Sequence, residues 1–277
     1  MLELPNRFTF EGNNVAWGMI GDGDPLVLLH GTPFSSQVWR RIAPWLAKRH
    51  RVFFYDLIGY GQSDKPAEDV SLGRQNKLLV AILHEWRLER PRVLAHDFGG
   101  ATALRAHFLD GIGYSALTLV DPVAISPQGS PFVAHVRKHE AAFAGLPAYA
   151  HEALLSAYIA NSAARPLSME ALSIYRAPWL GETGQAAFYR QIAQSTSAIF
   201  KRPKPDMRAL IFRCASYGAR TMLGFPSLRA ASWPTSSRPV NSCWCPARGI
   251  WSKRTRRKQS SPPHSRRLDA AGTGDQA

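Results

Sequence analysis

The segment around Asp97 constrains the fold more than any other part of the chain. Residues 91–96 read PRVLAH, a short run that predicts a buried strand, and residues 100–109 have a helical pattern. Between them, residues 97–100 read DFGG, so an acidic residue and two glycines make the connection. Glycine is required where backbone segments approach too closely for a side chain. The pattern therefore predicts a strand, a sharp turn that presents Asp97, and a helix.

An aspartate at such a turn is suited to nucleophilic catalysis. A serine in this position would attack acyl carbon, whereas a carboxylate can displace a leaving group from alkyl carbon and form an alkyl-enzyme ester. Water must then open that ester. The alternative is an ordinary helix N-cap, a position in which aspartate is common. Two motifs that precede Asp97 in the chain favour the nucleophile.

These two motifs are loops that contain glycine and follow predicted strands. Residues 26–33, LVLLHGTP, predict a buried strand and a tight loop of the kind that supplies one backbone N–H of an oxyanion hole. With the residue after the predicted nucleophile as the second donor, the expected pair is Thr32 and Phe98. Residues 51–56 predict another strand, and a glycine-rich loop follows at residues 57–66. The three motifs in this order are far more specific than any one of them alone.

With these motifs, the chain resembles the α/β-hydrolase superfamily over residues 5–195. Its turn, in which His96 and Asp97 precede an aromatic residue and a glycine, is similar to that of haloalkane dehalogenases and epoxide hydrolases. The resemblance implies an α/β fold with a doubly wound, mostly parallel sheet and a helical cap. It also implies hydrolysis of a small-molecule substrate through an alkyl-enzyme ester on Asp97. We expect neither a cofactor nor a metal.

The loop residues match neither subclass cleanly. Haloalkane dehalogenases usually carry Asn after His-Gly and Trp after the nucleophile, and the N–H groups of both side chains hold the departing halide. Here the residues are Thr32 and Phe98, so a halide would lose hydrogen bonds worth roughly 1.5 to 3 kcal/mol each. Epoxide hydrolases use cap tyrosines to protonate the epoxide oxygen, but they usually have an aromatic residue where Thr32 stands. A generic ester or carbon–carbon bond hydrolase therefore remains an alternative.

Three regions of different character predict the domain organisation. Residues 1–125 alternate predicted strands and helices, which is typical of an α/β core with its ligand crevice at the carboxyl ends of the strands. Within this core, residues 36–48 predict one amphipathic helix. Residues 126–195 are helical, and in the family this position carries the cap that roofs the active site. Residues 196–277 form a basic tail.

Aromatic residues of the predicted cap are candidates for the substrate pocket. Each is also explained by ordinary core packing, because aromatic side chains at helical spacing are usually buried. The predicted pocket residues are Phe132, Tyr149, Trp179 and Tyr189, with Tyr158, Tyr175 and Phe188 as further candidates.

The mechanism also needs a histidine base and an acid that orients it. Asp121 ends a predicted strand at residues 116–120, as the acid does in some haloalkane dehalogenases, and an Asp-Pro turn explains it equally well. The family's C-terminal Gly-x-Gly-His is absent. The only late histidine is His264, in the sequence SPPHS, which is neither strand-like nor apolar.

Charge changes abruptly near residue 200. Residues 1–200 carry 18 Lys and Arg against 17 Asp and Glu, whereas residues 201–277 carry 16 against 3. The tail also holds all three cysteines, which excludes a disulfide framework elsewhere and favours a cytoplasmic location. The chain shows no secretory pattern and no apolar run of membrane-spanning length, so we expect no membrane partner. One interpretation of the tail is an arm that binds nucleic acid or anionic surfaces through residues 253–258.

A second interpretation is that the tail is translated in a shifted reading frame. When the third base of each codon is read with the first two of the next, codons from residue 211 permit IPVRVLWGEDDAWIP. That sequence is an apolar strand followed by the family's acid loop. Codons from residue 245 permit PGAGHLVQEDAPEA, the family's histidine loop and last helix. Because both motifs occur in one frame and in order, we favour a frameshift near residues 195–205, a disordered tail and no nucleic-acid partner.

Overall fold

A computed structural model describes residues 1–123 and 129–195. The strands are β1 (Asn6–Phe10), β2 (Asn13–Ile20), β3 (Asp24–Leu29), β4 (His50–Tyr55), β5 (Arg92–His96) and β6 (Ala116–Val120). The helices are α1 (Ala43–Leu46), α2 (Leu72–Glu85), α3 (Phe98–Asp110), α4 (Pro131–Lys138), α5 (Glu140–Ala144), α6 (Ala148–Asn161), α7 (Met169–Arg176) and α8 (Gly181–Gln194). Single 3-10 turns occur at Ser36–Trp39 and Ala177–Trp179.

The six strands form one mixed sheet in the order β1-β2-β4-β3-β5-β6. The pairs β1–β2 and β2–β4 are antiparallel, while β4, β3, β5 and β6 run parallel. This arrangement confirms the predicted α/β class. Because β3, β5 and β6 are neighbours and parallel, their carboxyl ends bring Thr32, Asp97 and Asp121 to the same edge of the sheet.

Both faces of the parallel strands are buried. Along β3, Val27 and Leu29 pack into one apolar cluster, and the alternate residues Leu26 and Leu28 pack into another on the opposite face. The first cluster includes side chains of α2 and α3, and the second includes Trp39 and α1. A strand covered on both faces needs apolar residues at successive positions, which explains the unbroken LVLL run.

Residues 129–195 contain five helices, of which α8 packs against α4, α5 and α6. The side chains of Phe188, Tyr189 and Ile192 on α8 are fully buried. This helical region occupies the place predicted for the cap, while the domain boundaries at residues 125 and 195 stay predictions. Across the part of the chain that the structure describes, no helix combines the length and the apolar character needed to span a membrane.

The single helix predicted over residues 36–48 is wrong. The structure has a 3-10 turn at Ser36–Trp39 and a separate short helix, α1, that begins after Ile42. Pro44 lies in the first turn of α1. Because proline lacks an N–H and clashes with a preceding turn, it can begin a helix but cannot continue one.

We expect Gly99→Ala to lower the free energy of unfolding by about 2 kcal/mol or more, because it overpacks rigid backbone. A Cβ at Gly99 would lie 2.4 Å from the carbonyl oxygen of His30 and 2.7 Å from that of Leu29. Urea-induced unfolding followed by circular dichroism measures the change. Gly113→Ala is the control, because its Cβ would approach nothing closer than Arg90 Cγ at 3.4 Å. Equal stability of the two variants would contradict this account of Gly99.

Candidate active site

Asp97 lies at the junction of β5 and α3, in a backbone conformation that non-glycine residues rarely adopt. Its φ is 51° and its ψ is −116°. The Asp97 N–H donates to the carbonyl oxygen of Val120 at 2.9 Å, and its carbonyl oxygen accepts from Ala101 N–H at 3.1 Å. The side chain makes no helix-capping hydrogen bond. A strained residue held by the β6 strand and by its own helix is typical of a functional turn and does not fit a simple N-cap.

The loop after β3 packs directly against Asp97. A Cβ at Gly31 would lie 2.4 Å from the Asp97 Cβ, so only glycine fits there. The backbone N–H of Thr32 donates to Asp97 Oδ1 at 2.8 Å. The backbone N–H of Phe98 acts on the same carboxyl group by lowering its pKa. Of the two residues predicted as oxyanion donors, Thr32 makes a hydrogen bond to the Asp97 side chain, and the oxyanion role of both residues stays a prediction.

The electrostatics of Asp97 are governed by its surroundings. Burial raises the pKa of Asp97 to about 7, the hydrogen bonds from Phe98 and Thr32 oppose this rise, and the charge of Asp121 adds to it. Near neutral pH the carboxyl group is thus present in both protonation states. A carboxylate with little hydration is a stronger nucleophile than one surrounded by water.

Asp121 follows β6 and also has a positive φ, 43°. It is half-buried, and burial raises the pKa of its carboxyl group. The structure places Asp121 close enough for its charge to act on Asp97. Its role as the catalytic acid stays a prediction, because the described residues supply no histidine for it to orient.

The histidines of residues 1–123 and 129–195 do not serve the two carboxylates. His30 Nε2 accepts from Leu57 N–H at 2.9 Å, and its Nδ1 faces the Gly31 carbonyl oxygen at 3.2 Å. Both ring nitrogens are thus engaged in joining the loops after β3 and β4. Burial lowers the pKa of His96 to about 4, so this ring is neutral. His264 lies outside the described residues.

Helix α6 places one tyrosine in the electrostatic range of Asp97 and another in solvent. Burial and the charge of Asp97 raise the pKa of Tyr158 to about 12, which puts this hydroxyl in the electrostatic range of the carboxylate. Tyr149 is 79% exposed, so its prediction as a pocket residue is wrong. Nine residues at about 100° each turn a side chain to the opposite face of a helix. Of these two tyrosines of α6, Tyr158 is therefore the one whose pKa Asp97 raises.

The other predicted pocket residues pack within the cap and against the core. Phe132 contacts Tyr158, with ring centroids 5.0 Å apart. Trp179 is buried, and its Nε1 donates to the Pro33 carbonyl oxygen at 2.7 Å. The hydroxyl of Tyr189 lies 2.9 Å from Nδ1 of the buried His151. Phe132 thus packs on Tyr158, Trp179 is bonded to the loop that follows β3, and Tyr189 is bonded within the helical region.

Gln191 on α8 is a buried polar residue near Thr32 that the sequence alone does not predict as part of the site. Gln191 is 1% exposed, and its Oε1 accepts from the Thr32 hydroxyl at 2.5 Å and from the Tyr60 hydroxyl at 2.9 Å. A glutamine between Arg190 and Ile192 belongs to no recognisable sequence motif. Only the fold reveals that this side chain reaches the loop beside Asp97.

A strained turn after a parallel strand, backbone donors from a neighbouring loop and a helical region above them define an α/β-fold hydrolase. The chain belongs to the alpha/beta hydrolase fold family, whose sequence model matches residues 24–201. A crystal structure of an alpha/beta hydrolase fold protein from Burkholderia ambifaria is 74% identical. The similarity covers 72% of this chain and 74% of that one, with a TM-score of 0.71.

Two further similarities concern haloalkane dehalogenases. The curated haloalkane dehalogenase of Agrobacterium fabrum is 39% identical over 84 residues, which is 30% of this chain and 28% of that protein. The curated relatives in general are matched over less than a third of their length. The structure of a haloalkane dehalogenase from Agrobacterium tumefaciens C58 is 24% identical, covers 78% of this chain and 76% of that one, and has a TM-score of 0.57. At that identity the likeness concerns the fold alone.

We expect Asp97→Asn to be more stable than the wild type above pH 7 and to lose this advantage towards pH 4. With a pKa of 3.8 in the unfolded chain and about 7 in the folded one, wild-type stability falls as pH rises between these values. The asparagine avoids this loss, which we put at about 1 to 3 kcal/mol. Urea unfolding from pH 4 to pH 8 measures the difference. Asp22→Asn, on the exposed surface, is the control, and a pH-independent difference for Asp97→Asn would contradict the prediction.

Proposed function

We propose that this hydrolase acts through Asp97, whose carboxylate attacks an alkyl carbon and forms an alkyl-enzyme ester. The observation that carries the proposal is the hydrogen bond of 2.8 Å from Thr32 N–H to Asp97 Oδ1. It fixes one carboxylate oxygen and leaves the second oxygen to attack. Oδ1 becomes the carbonyl oxygen of the ester. It gains negative charge when water opens the ester, and the Thr32 N–H stabilises that charge.

The substrate we propose carries a leaving atom on alkyl carbon, as in a haloalkane or an epoxide. Similarity to haloalkane dehalogenases supports the first class. The hydroxyl of Tyr158, in the electrostatic range of Asp97, supports the second class, because an opened epoxide needs a proton donor. Both classes share the attack by Asp97 and differ only in how the leaving atom is stabilised.

Hydrolysis of the ester needs a base that activates water, and we propose that a shifted reading frame has removed it from this chain. Among the described residues, no histidine hydrogen-bonds to Asp97 or Asp121. The family model matches up to residue 201, within the interval in which charge and composition change. The alternative frame permits a histidine across Gly249 and Ile250. With that frame lost, the chain is impaired in turnover but keeps the groups for the first step.

We expect the full chain to form a stable covalent adduct with a primary alkyl bromide or a terminal epoxide. Displacement needs only an ionised carboxylate, whereas opening of the ester needs the base. The rate of adduct formation should rise with pH and level off above about pH 7, because the Asp97 pKa is about 7. Intact-mass spectrometry and peptide mapping measure the extent and the position of the adduct.

Asp97→Asn is the matched control for this experiment, because it keeps the size and the polarity of the side chain but cannot attack. The peptide that contains position 97 should remain unmodified in this variant. A folded wild-type protein without an adduct on Asp97 would refute the proposed nucleophile.

A nucleotide sequence across codons 195–205 tests the second part of the proposal. We expect that one inserted or deleted base in this interval accounts for the whole departure from the family pattern. Restoring the frame should yield the acid and histidine motifs together and remove most of the net charge of +14. If codon 249 ends in any base other than C, the alternative frame has no histidine codon there and the frameshift is refuted.

A further inference from the structure

Gln191 joins α8 to the loop that holds the nucleophile. Its side chain is 1% exposed, and both hydroxyls that it contacts donate to the same atom, Oε1. One of them belongs to Thr32, whose backbone N–H binds Asp97 Oδ1. The other belongs to Tyr60, whose pKa is raised by burial and also by the charge of Asp97. The Gln191 amide thus lies next to two groups that surround the carboxylate.

The NH₂ group of Gln191 has no hydrogen-bond partner within residues 1–123 and 129–195, although it is buried. Another buried glutamine of α8 shows the usual arrangement. Gln185 donates to the carbonyl oxygens of Ala144 and Leu146 at 2.9 and 2.7 Å. A buried donor without a partner is unfavourable until water or a bound group accepts its hydrogen bond. Because Thr32 and Tyr60 hold the oxygen end of the amide, the NH₂ end belongs to a group that is fixed against the loop of Thr32.

We propose that Gln191 Nε2 donates a hydrogen bond to the departing halide when Asp97 is alkylated. The inference rests on the proposed function of Asp97. In this step a carboxylate oxygen forms a bond to the alkyl carbon, the carbon–halogen bond breaks, and its electron pair leaves with the halide. The halide gains a full negative charge, which an amide N–H stabilises.

The same loops lack any other side-chain donor for this charge. Phe98 has no polar group, and the Thr32 hydroxyl already donates to Gln191. The Tyr60 hydroxyl is likewise directed at Gln191 Oε1. The unpaired amide of α8 therefore supplies a donor that the loop residues themselves do not provide.

The test compares Gln191→Met with Gln185→Met in the full chain. Both substitutions replace a buried glutamine of α8 by an unbranched apolar side chain, but only the first removes the donor beside Asp97. The rate of adduct formation on the peptide that contains Asp97 is measured by peptide mapping with the chloride, bromide and iodide of one primary alkyl group. Chloride accepts stronger hydrogen bonds than iodide, so loss of a donor to the leaving atom slows the chloride most. For Gln191→Met we expect the rate of adduct formation to fall about tenfold with the chloride and less with the iodide. The ratio of the iodide rate to the chloride rate should therefore increase.

Gln185→Met should retain the wild-type ratio. If the rate of adduct formation in Gln191→Met falls equally for all three halides, or does not fall, the proposal is overturned. A purely structural role of Gln191 would affect all leaving groups alike. Gln191→Leu also removes the NH₂ group and supplies no other donor, so it must widen the ratio as well, even if Gln191→Met folds poorly. Absence of an adduct in the wild type would overturn the role of Asp97 itself, whereas a wild-type adduct with unchanged ratios would overturn only the role of Gln191.

Discussion

The hydrogen bond from Thr32 N–H to Asp97 Oδ1 couples two loops that are far apart in sequence, and the site depends on it. It requires β3 and β5 to be adjacent and parallel, since only then do their carboxyl ends meet. It also requires a glycine at position 31, where any Cβ would collide with the Asp97 side chain. The sheet order and one missing side chain thus place an N–H donor at 2.8 Å from the carboxylate.

This arrangement places a carboxylate where its ionisation is unfavourable, and the rest of the structure offsets that cost. Burial raises the pKa of Asp97 to about 7, although the N–H groups of Phe98 and Thr32 oppose the rise. The helices above the site are joined to the same loop at two points. Trp179 donates to the Pro33 carbonyl oxygen, and Gln191 accepts from the Thr32 hydroxyl. The loop after β3 is therefore held by two hydrogen bonds from the helical region, which keep the Thr32 N–H group in place against the Asp97 carboxylate.

Most of the core could be predicted from the sequence, because its signals are local. The apolar runs before Thr32, Asp97 and Asp121 gave β3, β5 and β6 within one or two residues of their observed bounds. The single helix predicted over residues 36–48 is wrong, because Pro44 cannot lie in the interior of a helix and instead begins α1. For the predicted cap, the sequence indicated helices, but it did not indicate which side of each helix packs inward.

The sequence by itself determined the sharp turn at Asp97 and the tight loop at Thr32, because each follows from residue types within a few positions of that turn. Only the tertiary structure decided which cap side chains reach the site. Tyr149 and Tyr158 lie on one helix and are chemically alike, yet packing turns Tyr158 inward and Tyr149 outward. Gln191 meets Thr32 across 159 positions of sequence. A single sequence does not encode such a contact in any local pattern, since the packing of the cap on the sheet sets the rotation of α8.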